Sequence, residues 1–129
     1  MKSLLTISLV LVAVLSRMAH AADPVVTPLM LKELGDIPGK EVLAITVDFP
    51  PGAVDPIHRH DAHAFVYVLE GSIVMQLKGA PEVTLTPGQM FYEGPNDLHI
   101  VGRNASQTKP AKFVVVLVKN RGVDAVLPP

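Results

Sequence analysis

The sequence lacks cysteine entirely among its 129 residues. No disulfide can therefore stabilise the fold, and chemistry that needs a thiolate nucleophile or a thiolate metal ligand is excluded. Tryptophan is absent as well, and aromatic residues make up only 5% of the chain. The core must therefore consist mainly of aliphatic side chains, and any metal site must use nitrogen or oxygen ligands.

An excess of one charge is missing too, since 11 Lys and Arg nearly balance 12 Asp and Glu, for a net charge of −1. The chain has no basic run and no stripe of interleaved basic and aromatic residues of the kind that binds a phosphate backbone. The sequence therefore argues against a nucleic-acid partner. The partners that we expect are a small-molecule substrate or ligand and a second copy of the chain.

Residues 1–21 have the three parts of a secretory signal peptide. Lys2 provides the positive n-region, residues 4–15 form the apolar h-region, and residues 19–21 have the small-x-small pattern of a cleavage site. We expect cleavage near Ala21, so that the mature chain begins at Ala22.

An uncleaved membrane anchor is the alternative interpretation of this segment. However, Ser16 and Arg17 interrupt the apolar stretch, which falls short of the roughly 20 residues that span a bilayer. The sequence therefore predicts a periplasmic or secreted protein with no stable membrane anchor after cleavage. The mature chain, residues 22–129, is expected to form one domain.

Apolar residues in the mature chain recur with a period near two, which predicts an all-β domain. About eight strands are expected, the weakest of them at the N-terminal end. They cover residues 25–31, 43–49, 65–70, 72–77, 82–85, 89–92, 98–101 and 112–118. Gly71 is predicted to form a tight turn and Pro87-Gly88 a type II turn, because proline presets φ and glycine accepts a positive φ. The pattern is typical of a β-sandwich or jelly roll, and no convincing amphipathic helix accompanies it.

Two of the predicted strands, within residues 65–69 and 113–118, are apolar at consecutive positions. A strand with one solvated face would alternate, so a second layer must cover the outer face of each. A second subunit, the N-terminal segment or another sheet could provide that layer. We expect a homodimer on this basis.

Four histidines follow the predicted cleavage site: His58, His60 and His63 in one segment, and His99 further along. On an extended strand, residues i and i+2 point to the same face, so His58 and His60 can present two imidazoles to one point. A third imidazole from a neighbouring strand would complete a site with three protein ligands, and His99 can supply it if its strand pairs beside the first. The sequence therefore predicts a metal site at His58, His60 and His99.

The spacing Gly52-x5-His58-x-His60, followed by Gly71, resembles the first motif of the cupin superfamily. The segment from Gly88 to Asn104 resembles the second cupin motif, with His99 at the expected offset from its first glycine. The resemblance covers about residues 43–118. It implies a small single-domain cupin, a jelly-roll β-barrel that spans residues 22–129, with one divalent metal ion held by three histidines.

The chain departs from the first cupin motif at position 64, where the family has a glutamate ligand and this sequence has Ala64. The site is then either a three-histidine site or one completed by another residue. His63 is a candidate for a fourth ligand or for a partner that hydrogen-bonds a ligand, but strand parity turns it to the opposite face from residue 64 if the strand has begun there. Glu93, at the end of a predicted strand, is the other candidate.

The resemblance to three-histidine cupin dioxygenases implies a metal-dependent oxygenase or related oxidoreductase that acts on a small molecule. Its pocket is expected to be apolar, lined by residues such as Val66, Val68 and Val101. The ion is expected to be Fe, Mn, Zn, Ni or Cu, because neutral imidazoles accept several metals. Two alternatives stay open: a noncatalytic exported protein that binds or senses a metal or small ligand, and an isomerase or lyase in which Zn or Mn polarises a carbonyl.

Overall fold

The structure is a computed structural model that describes residues 20–129. This part of the chain forms eight β-strands and no helix. The strands are β1 (Val25–Glu33), β2 (Lys40–Phe49), β3 (Ala62–Glu70), β4 (Ile73–Leu77), β5 (Val83–Leu85), β6 (Met90–Glu93), β7 (His99–Asn104) and β8 (Ala111–Asn120). The predicted all-β class and the eight strand positions are confirmed, with shifts of a few residues at the ends.

The strands form two antiparallel sheets. One has five strands in the order β1-β2-β8-β3-β6, and the other has three in the order β5-β4-β7. Strands distant in sequence are neighbours, as in a jelly roll, and the predicted fold is confirmed. Within residues 20–129 the sheets face each other as a sandwich and do not close into one continuous barrel.

The core lies between the two sheets, and the period-two pattern decides which side chains enter it. Every second residue of β8 from Ala111 to Lys119 is buried, and the residues between them are half-buried. Phe49 and Phe113 meet edge to face at 4.9 Å in this layer. Fully burying such a side chain stabilises the fold by about 1.5–3 kcal/mol.

The turn at Gly71 separates strands that do not pair with each other. The strands before and after it belong to different sheets, so the turn carries the chain across the sandwich. Gly71 has a φ of 68°, and an added Cβ would lie 2.4 Å from the carbonyl oxygen of Pro110. Only glycine fits there.

The predicted type II turn is present, because Gly88 has a φ of 89° and Gln89 N donates to Thr86 O at 3.0 Å.

The outer face of the five-stranded sheet is apolar, as the sequence indicates. Phe65, Tyr67 and Leu69 of β3 are exposed there, whereas alternate residues of the same strand are buried. On β8 the outward valines are half-buried by their neighbours. No second layer covers this face in the described chain.

The predicted signal peptide falls almost entirely on residues 1–19, outside the described residues. Within residues 20–129, no helix is long and apolar enough to cross a membrane.

Candidate metal centre

The two segments that carry the predicted site meet through a short antiparallel bridge. His58 N donates to His99 O at 3.2 Å, and His99 N donates to His58 O at 2.9 Å. His58 lies in the extended segment before β3, and His99 is the first residue of β7. His99 can join the other two histidines only if its strand pairs beside their segment, and the structure shows this pairing.

The three imidazoles lie close together and are buried. The ring of His58 lies 4.9 Å from that of His60 and 4.8 Å from that of His99. His99 Nδ1 lies 3.3 Å from His58 Nε2. Each of the three residues is less than 9% exposed. The structure therefore brings the three predicted histidines together, although His58 and His60 precede the regular part of β3.

Glu93 joins them from β6. Its Oε1 lies 3.2 Å from His99 Nδ1 and 3.7 Å from His60 Nε2, and its side chain is almost completely buried. In the pairing of β3 with β6, Glu93 lies directly opposite Ala64. A carboxylate thus enters the site from the neighbouring strand, across from the position where the first cupin motif has its glutamate. We call His58, His60, Glu93 and His99 the histidine cluster.

His58, His60 and Glu93 form a group that could hold a metal ion, since one ligand atom from each lies within 4.8 Å of the others. Two atoms of the histidine cluster, Glu93 Oε1 and His99 Nε2, are buried without a hydrogen-bond partner in the part of the chain that the structure describes. Leaving such a group unpaired costs about 1–3 kcal/mol. A divalent cation, which binds imidazole nitrogen and carboxylate oxygen, fits this donor set.

The outer nitrogens of two rings are held by backbone carbonyls. His58 Nδ1 donates to Pro56 O at 2.8 Å, and His60 Nδ1 donates to Ala125 O. With Nδ1 carrying the proton, Nε2 keeps its lone pair for the interior of the cluster. This arrangement is typical of histidines that bind metals. Asn96 N donates to His60 O at 2.8 Å and ties the loop after β6 to the same segment.

Burial controls the charges of the histidine cluster. Desolvation lowers the pKa of His60, and together with the nearby His58 it lowers the pKa of His99 to about 4. Both rings are therefore neutral at physiological pH, as metal binding requires. Desolvation also raises the pKa of Glu93 to about 7, with further contributions from Asp55 and Asp97.

His63 lies outside the cluster. β3 has begun by Ala62, so residue 63 points to the outer face while residues 62 and 64 are buried. The His63 ring is exposed and its Nδ1 lies 2.7 Å from the Tyr92 hydroxyl, with which it shares a hydrogen bond. The geometry therefore favours Glu93 over His63 as the residue beside the three imidazoles.

A cavity of about 80 Å³ opens beside the histidine cluster. His58, His60 and Glu93 form its polar end together with Asp55, and the rest of its wall is apolar. The apolar wall is formed by Val26, Ile45, Val47, Val66, Met75, Phe113, Val115, Leu117, Ala125 and Val126. Val66 lines it as predicted, whereas Val68 belongs to the core and Val101 lies half-buried on β7.

Two parts of this wall were not predicted from the sequence. Asp55 lies in the cavity wall, where burial raises its pKa to about 6, while the nearby His58 opposes the rise. Its position three residues before His58 is the only local signal. Ala125 and Val126 come from the C-terminal end, and no local pattern connects them with the histidines.

A family model for the cupin domain matches residues 45–117 of the chain. No curated protein matches the chain.

Several solved structures share the fold. An uncharacterised protein with a double-stranded β-helix domain from Klebsiella pneumoniae is 15% identical, with 86% of this chain and 90% of that chain covered and a TM-score of 0.66. The DMSP lyase DddQ from Ruegeria pomeroyi is 24% identical, with a TM-score of 0.59, over 67% of this chain and 42% of the lyase. The polyketide cyclase RemF from Streptomyces resistomycificus is 20% identical over 84% of this chain and 72% of the cyclase, with a TM-score of 0.62. The chain thus spans about two fifths of the lyase, and at these identities the likeness concerns the fold alone.

Proposed function

The chain belongs to the cupin family, and from this premise we propose that it binds one divalent metal ion in the histidine cluster and acts as an enzyme on a small molecule. His58, His60 and His99 are the proposed imidazole ligands, and Glu93 is the proposed fourth ligand. The observation that carries the proposal is that His58, His60 and Glu93 converge closely enough to share one ion, and that Glu93 Oε1 has no hydrogen-bond partner among residues 20–129.

When bound, the ion would supply Lewis acidity, and a redox-active ion would also exchange electrons with the substrate. The residues of this chain supply the rest. The apolar wall excludes water from the polar end of the cavity and orients a small molecule towards it. Asp55 can hold or release a proton at its carboxyl near neutral pH, because burial raises its pKa to about 6.

Asp55 favours a lyase or isomerase, since proton transfer at carbon needs a group that titrates near neutrality beside the substrate. An oxygenase or related oxidoreductase is the second candidate, supported by the apolar cavity beside the imidazoles of His58 and His60. Metal analysis of protein purified without an affinity column that leaches nickel separates the two. Stoichiometric Zn or Mn with no oxygen consumption supports the first, and Fe with substrate-dependent oxygen consumption supports the second. Protein that is isolated without metal and binds none of the five candidate metals would overturn the metal-dependent function.

The histidine ligands are tested by single substitutions. His58→Ala, His60→Ala and His99→Ala should each abolish stoichiometric metal binding in calorimetry. Wild type should melt higher with metal than after chelation, by a stabilisation of about 2.7 kcal/mol at a hundredfold excess over Kd. The three variants should lose that difference. His63→Ala is the matched control, and it should keep stoichiometric binding. Wild-type affinity in His99→Ala would contradict the site.

The role of Glu93 is tested by moving its carboxylate across the strand pair. Glu93→Ala should weaken metal binding by more than the roughly 10- to 100-fold that loss of an outer partner typically costs. Adding Ala64→Glu to this variant should restore much of the affinity, because residues 64 and 93 are opposite each other on the inner face. The control is Phe65→Glu with Glu93→Ala, which places the carboxylate on the outer face. Equal affinities in the two double variants would exclude Glu93 as a ligand.

We also propose a homodimer through the outer face of the five-stranded sheet. Strand pairing aligns Met30, Ala44, Val116, Phe65 and Tyr92 in one row across all five strands. Three of these side chains are exposed, and the row carries no charge. A second copy fits such a face because a twofold interface places the same apolar patch on both subunits. Sedimentation should show a dimer at micromolar concentration and a monomer for Phe65→Glu. A wild-type monomer would refute this interface.

Export is the last part of the proposal and rests on the signal pattern in residues 1–21. The intact mass of the exported protein should correspond to a chain that begins at Ala22. A mature form that retains Met1 would contradict cleavage.

A further inference from the structure

The segment that carries two of the proposed ligands, residues 58–60, precedes β3 and belongs to no regular strand. Backbone hydrogen bonds from three other parts of the chain hold it in place. Its first residue pairs with the first residue of β7, and its second pairs with Leu127, each through two such bonds. The third contact comes from the turn between β6 and β7, where Asn96 N donates to His60 O at 2.8 Å. Each residue of the segment is therefore held by a different part of the chain.

We call residues 94–97 the site turn, because it lies between two members of the histidine cluster, at the end of β6 and the start of β7. Gly94 N donates to Asp97 Oδ2 at 2.7 Å, and Asp97 N donates to Gly94 O at 3.1 Å. These two hydrogen bonds close the turn on itself. A bond from this turn to a third member of the cluster therefore relates three of its four side chains to one another.

Asn96 has an unusual backbone conformation within the site turn. Its φ is 64°, and within residues 20–129 it is the only non-glycine residue with a positive φ. A Cβ disfavours this left-handed region, and asparagine is one of the few residues that visit it as single residues. Strained backbone conformations cluster at functional sites. In the site turn, the residue with this conformation is also the one whose N–H group binds His60 O.

The side chain of Asn96 makes a second contact with the same segment. Its Oδ1 accepts a hydrogen bond from Arg59 Nη1 at 2.8 Å. The donor is charged, and hydrogen bonds from charged donors are stronger than those between neutral groups. Asn96 therefore holds two successive residues of the segment, one through its backbone and the other through its carboxamide.

We propose that Asn96 is a positioning residue of the metal centre. It fixes His60 relative to Glu93 and His99, by its left-handed backbone and by its bond to Arg59. Asn96 is exposed and does not line the cavity, so it acts through His60 and not on the substrate. The proposal rests on the proposed function for the bound metal. The placement of His60 depends on the protein alone and can be followed in the metal-free chain.

Three substitutions in the full mature chain separate the backbone of Asn96 from its side chain, with Co²⁺ as the probe. Asn96→Ala loses both features, because alanine disfavours a positive φ and has no acceptor for Arg59. It should lower the affinity for Co²⁺ by about 10- to 100-fold in competition with a chelator, as loss of an outer partner typically does. Asn96→Gly keeps the left-handed backbone and should recover part of this loss. Asn96→Asp keeps both features and should bind like wild type.

Arg59→Met tests the side-chain contact from the other partner. It should cost about as much affinity as Asn96→Gly, because each variant lacks the same hydrogen bond. The double variant that combines Arg59→Met with Asn96→Gly should be no weaker than either single variant, since residues in contact are not additive. Additive losses would exclude this hydrogen bond as a means of positioning.

The absorption spectrum of bound Co²⁺ separates positioning from a general loss of stability, because it depends on the geometry of the ligands. The spectrum should change in Asn96→Ala and be restored in Asn96→Asp. Gly39→Ala is the matched control, since it places alanine at a φ of 75° in a turn where nothing lies within 4 Å of the added Cβ. It should melt lower than wild type but keep the wild-type spectrum and affinity.

NMR of the metal-free protein follows His60 directly. The signals of its ring should shift or broaden in Asn96→Ala, whereas those of His63 on the outer face should stay unchanged. Undisturbed His60 signals in Asn96→Ala would overturn the proposal, as would wild-type affinity together with a wild-type Co²⁺ spectrum. A disturbed His60 in a chain whose wild type binds no metal would refute the metal centre and leave the positioning role standing.

Discussion

Two of the buried polar clusters among the described residues differ in how completely their atoms are paired. In the lysine cluster, formed by Glu41 and Lys119, the ammonium group donates to the Glu41 carboxylate and to the carbonyl oxygens of Asn120 and Val123. The same carboxylate also accepts from Gly122 N. In the histidine cluster, Glu93 Oε1 and His99 Nε2 have no hydrogen-bond partner among the described residues.

The difference separates a structural role from a binding role. Buried polar atoms in folded proteins are almost always hydrogen-bonded, so each exception needs an explanation. The lysine cluster is complete and anchors the segment after β8. The histidine cluster is incomplete in the chain alone, which is expected of a site whose remaining partner is a ligand.

The largest loss of stability is expected from breaking the complete cluster. In Lys119→Met the Glu41 carboxylate stays buried but loses its cationic partner. An uncompensated buried charge is strongly destabilising. The metal-free variant should melt lower than the metal-free forms of the histidine, Glu93 and Gly102 variants, as measured by calorimetry. At a temperature where it is folded, its metal affinity should fall by less than the roughly 10- to 100-fold that loss of a ligand's hydrogen-bond partner costs, because Lys119 contacts none of the four residues of the histidine cluster. Loss of metal binding in the folded variant would show that the two clusters are not independent.

The histidine cluster should lower the free energy of unfolding of the metal-free protein by an amount that depends on pH. Burial raises the pKa of Glu93 from 4.5 to about 7, so the folded state binds this proton more tightly than the unfolded state. The contribution of Glu93 to the stability of the metal-free protein should therefore fall as the pH rises from about 4.5 to about 7, by a total of about 3 kcal/mol. Glu93→Gln lacks this titration and should be the more stable protein above pH 7, with the difference vanishing below pH 4.5.

Urea unfolding in the presence of a chelator, at several pH values, measures this difference. The lowered pKa of His99 gives the opposite slope, with stability gained as the pH rises from about 4 to 6.5. Since both proteins contain His99, its contribution largely cancels in the comparison. If the free energies of unfolding of the two proteins change with pH in parallel, burial does not disfavour the ionised form of Glu93.

A smaller effect should follow from crowding the histidine cluster without removing a ligand. A Cβ added at Gly102 would lie 2.9 Å from His99 Cε1 and 3.3 Å from Asp55 Oδ2, so the ring must shift. We expect Gly102→Ala to lower metal affinity by about 10- to 100-fold, as loss of outer support at a metal site typically does. Gly35→Ala is the matched control because nothing lies within 4 Å of its added Cβ. Equal metal affinity in the two variants, measured by competition with a chelator, would argue against a tightly packed His99.

Much of the fold could be predicted because its signals are local. The alternation of Leu43, Ile45, Val47 and Phe49 predicts a strand with one buried face, and β2 has that face in the core. The apolar positions of residues 113–118 likewise predict β8 and its apolar outer side. Pro87-Gly88 and Gly71 predict turns for reasons that concern only a few backbone angles.

The candidate site was predicted only where the spacing along the chain was informative. The i, i+2 spacing of His58 and His60 predicts that they share a face, and the second motif supplies His99. Glu93 could be named only as a candidate, because its place opposite Ala64 is a matter of register between β3 and β6. The role of His63 depended on whether β3 had begun before residue 64, and a one-residue shift would have reversed its face.

The sequence by itself determined the all-β class, the strand positions, the three histidines and the apolar outer face, because periodicity and motif spacing are properties of contiguous residues. Only the tertiary structure decided that β3 and β4 lie in different sheets, that Glu93 supplies a carboxylate across from Ala64, and that Ala125 and Val126 line the cavity. These contacts join residues far apart in the chain, such as His60 and Ala125. They depend on how the strands pair and pack, and no local pattern encodes that choice.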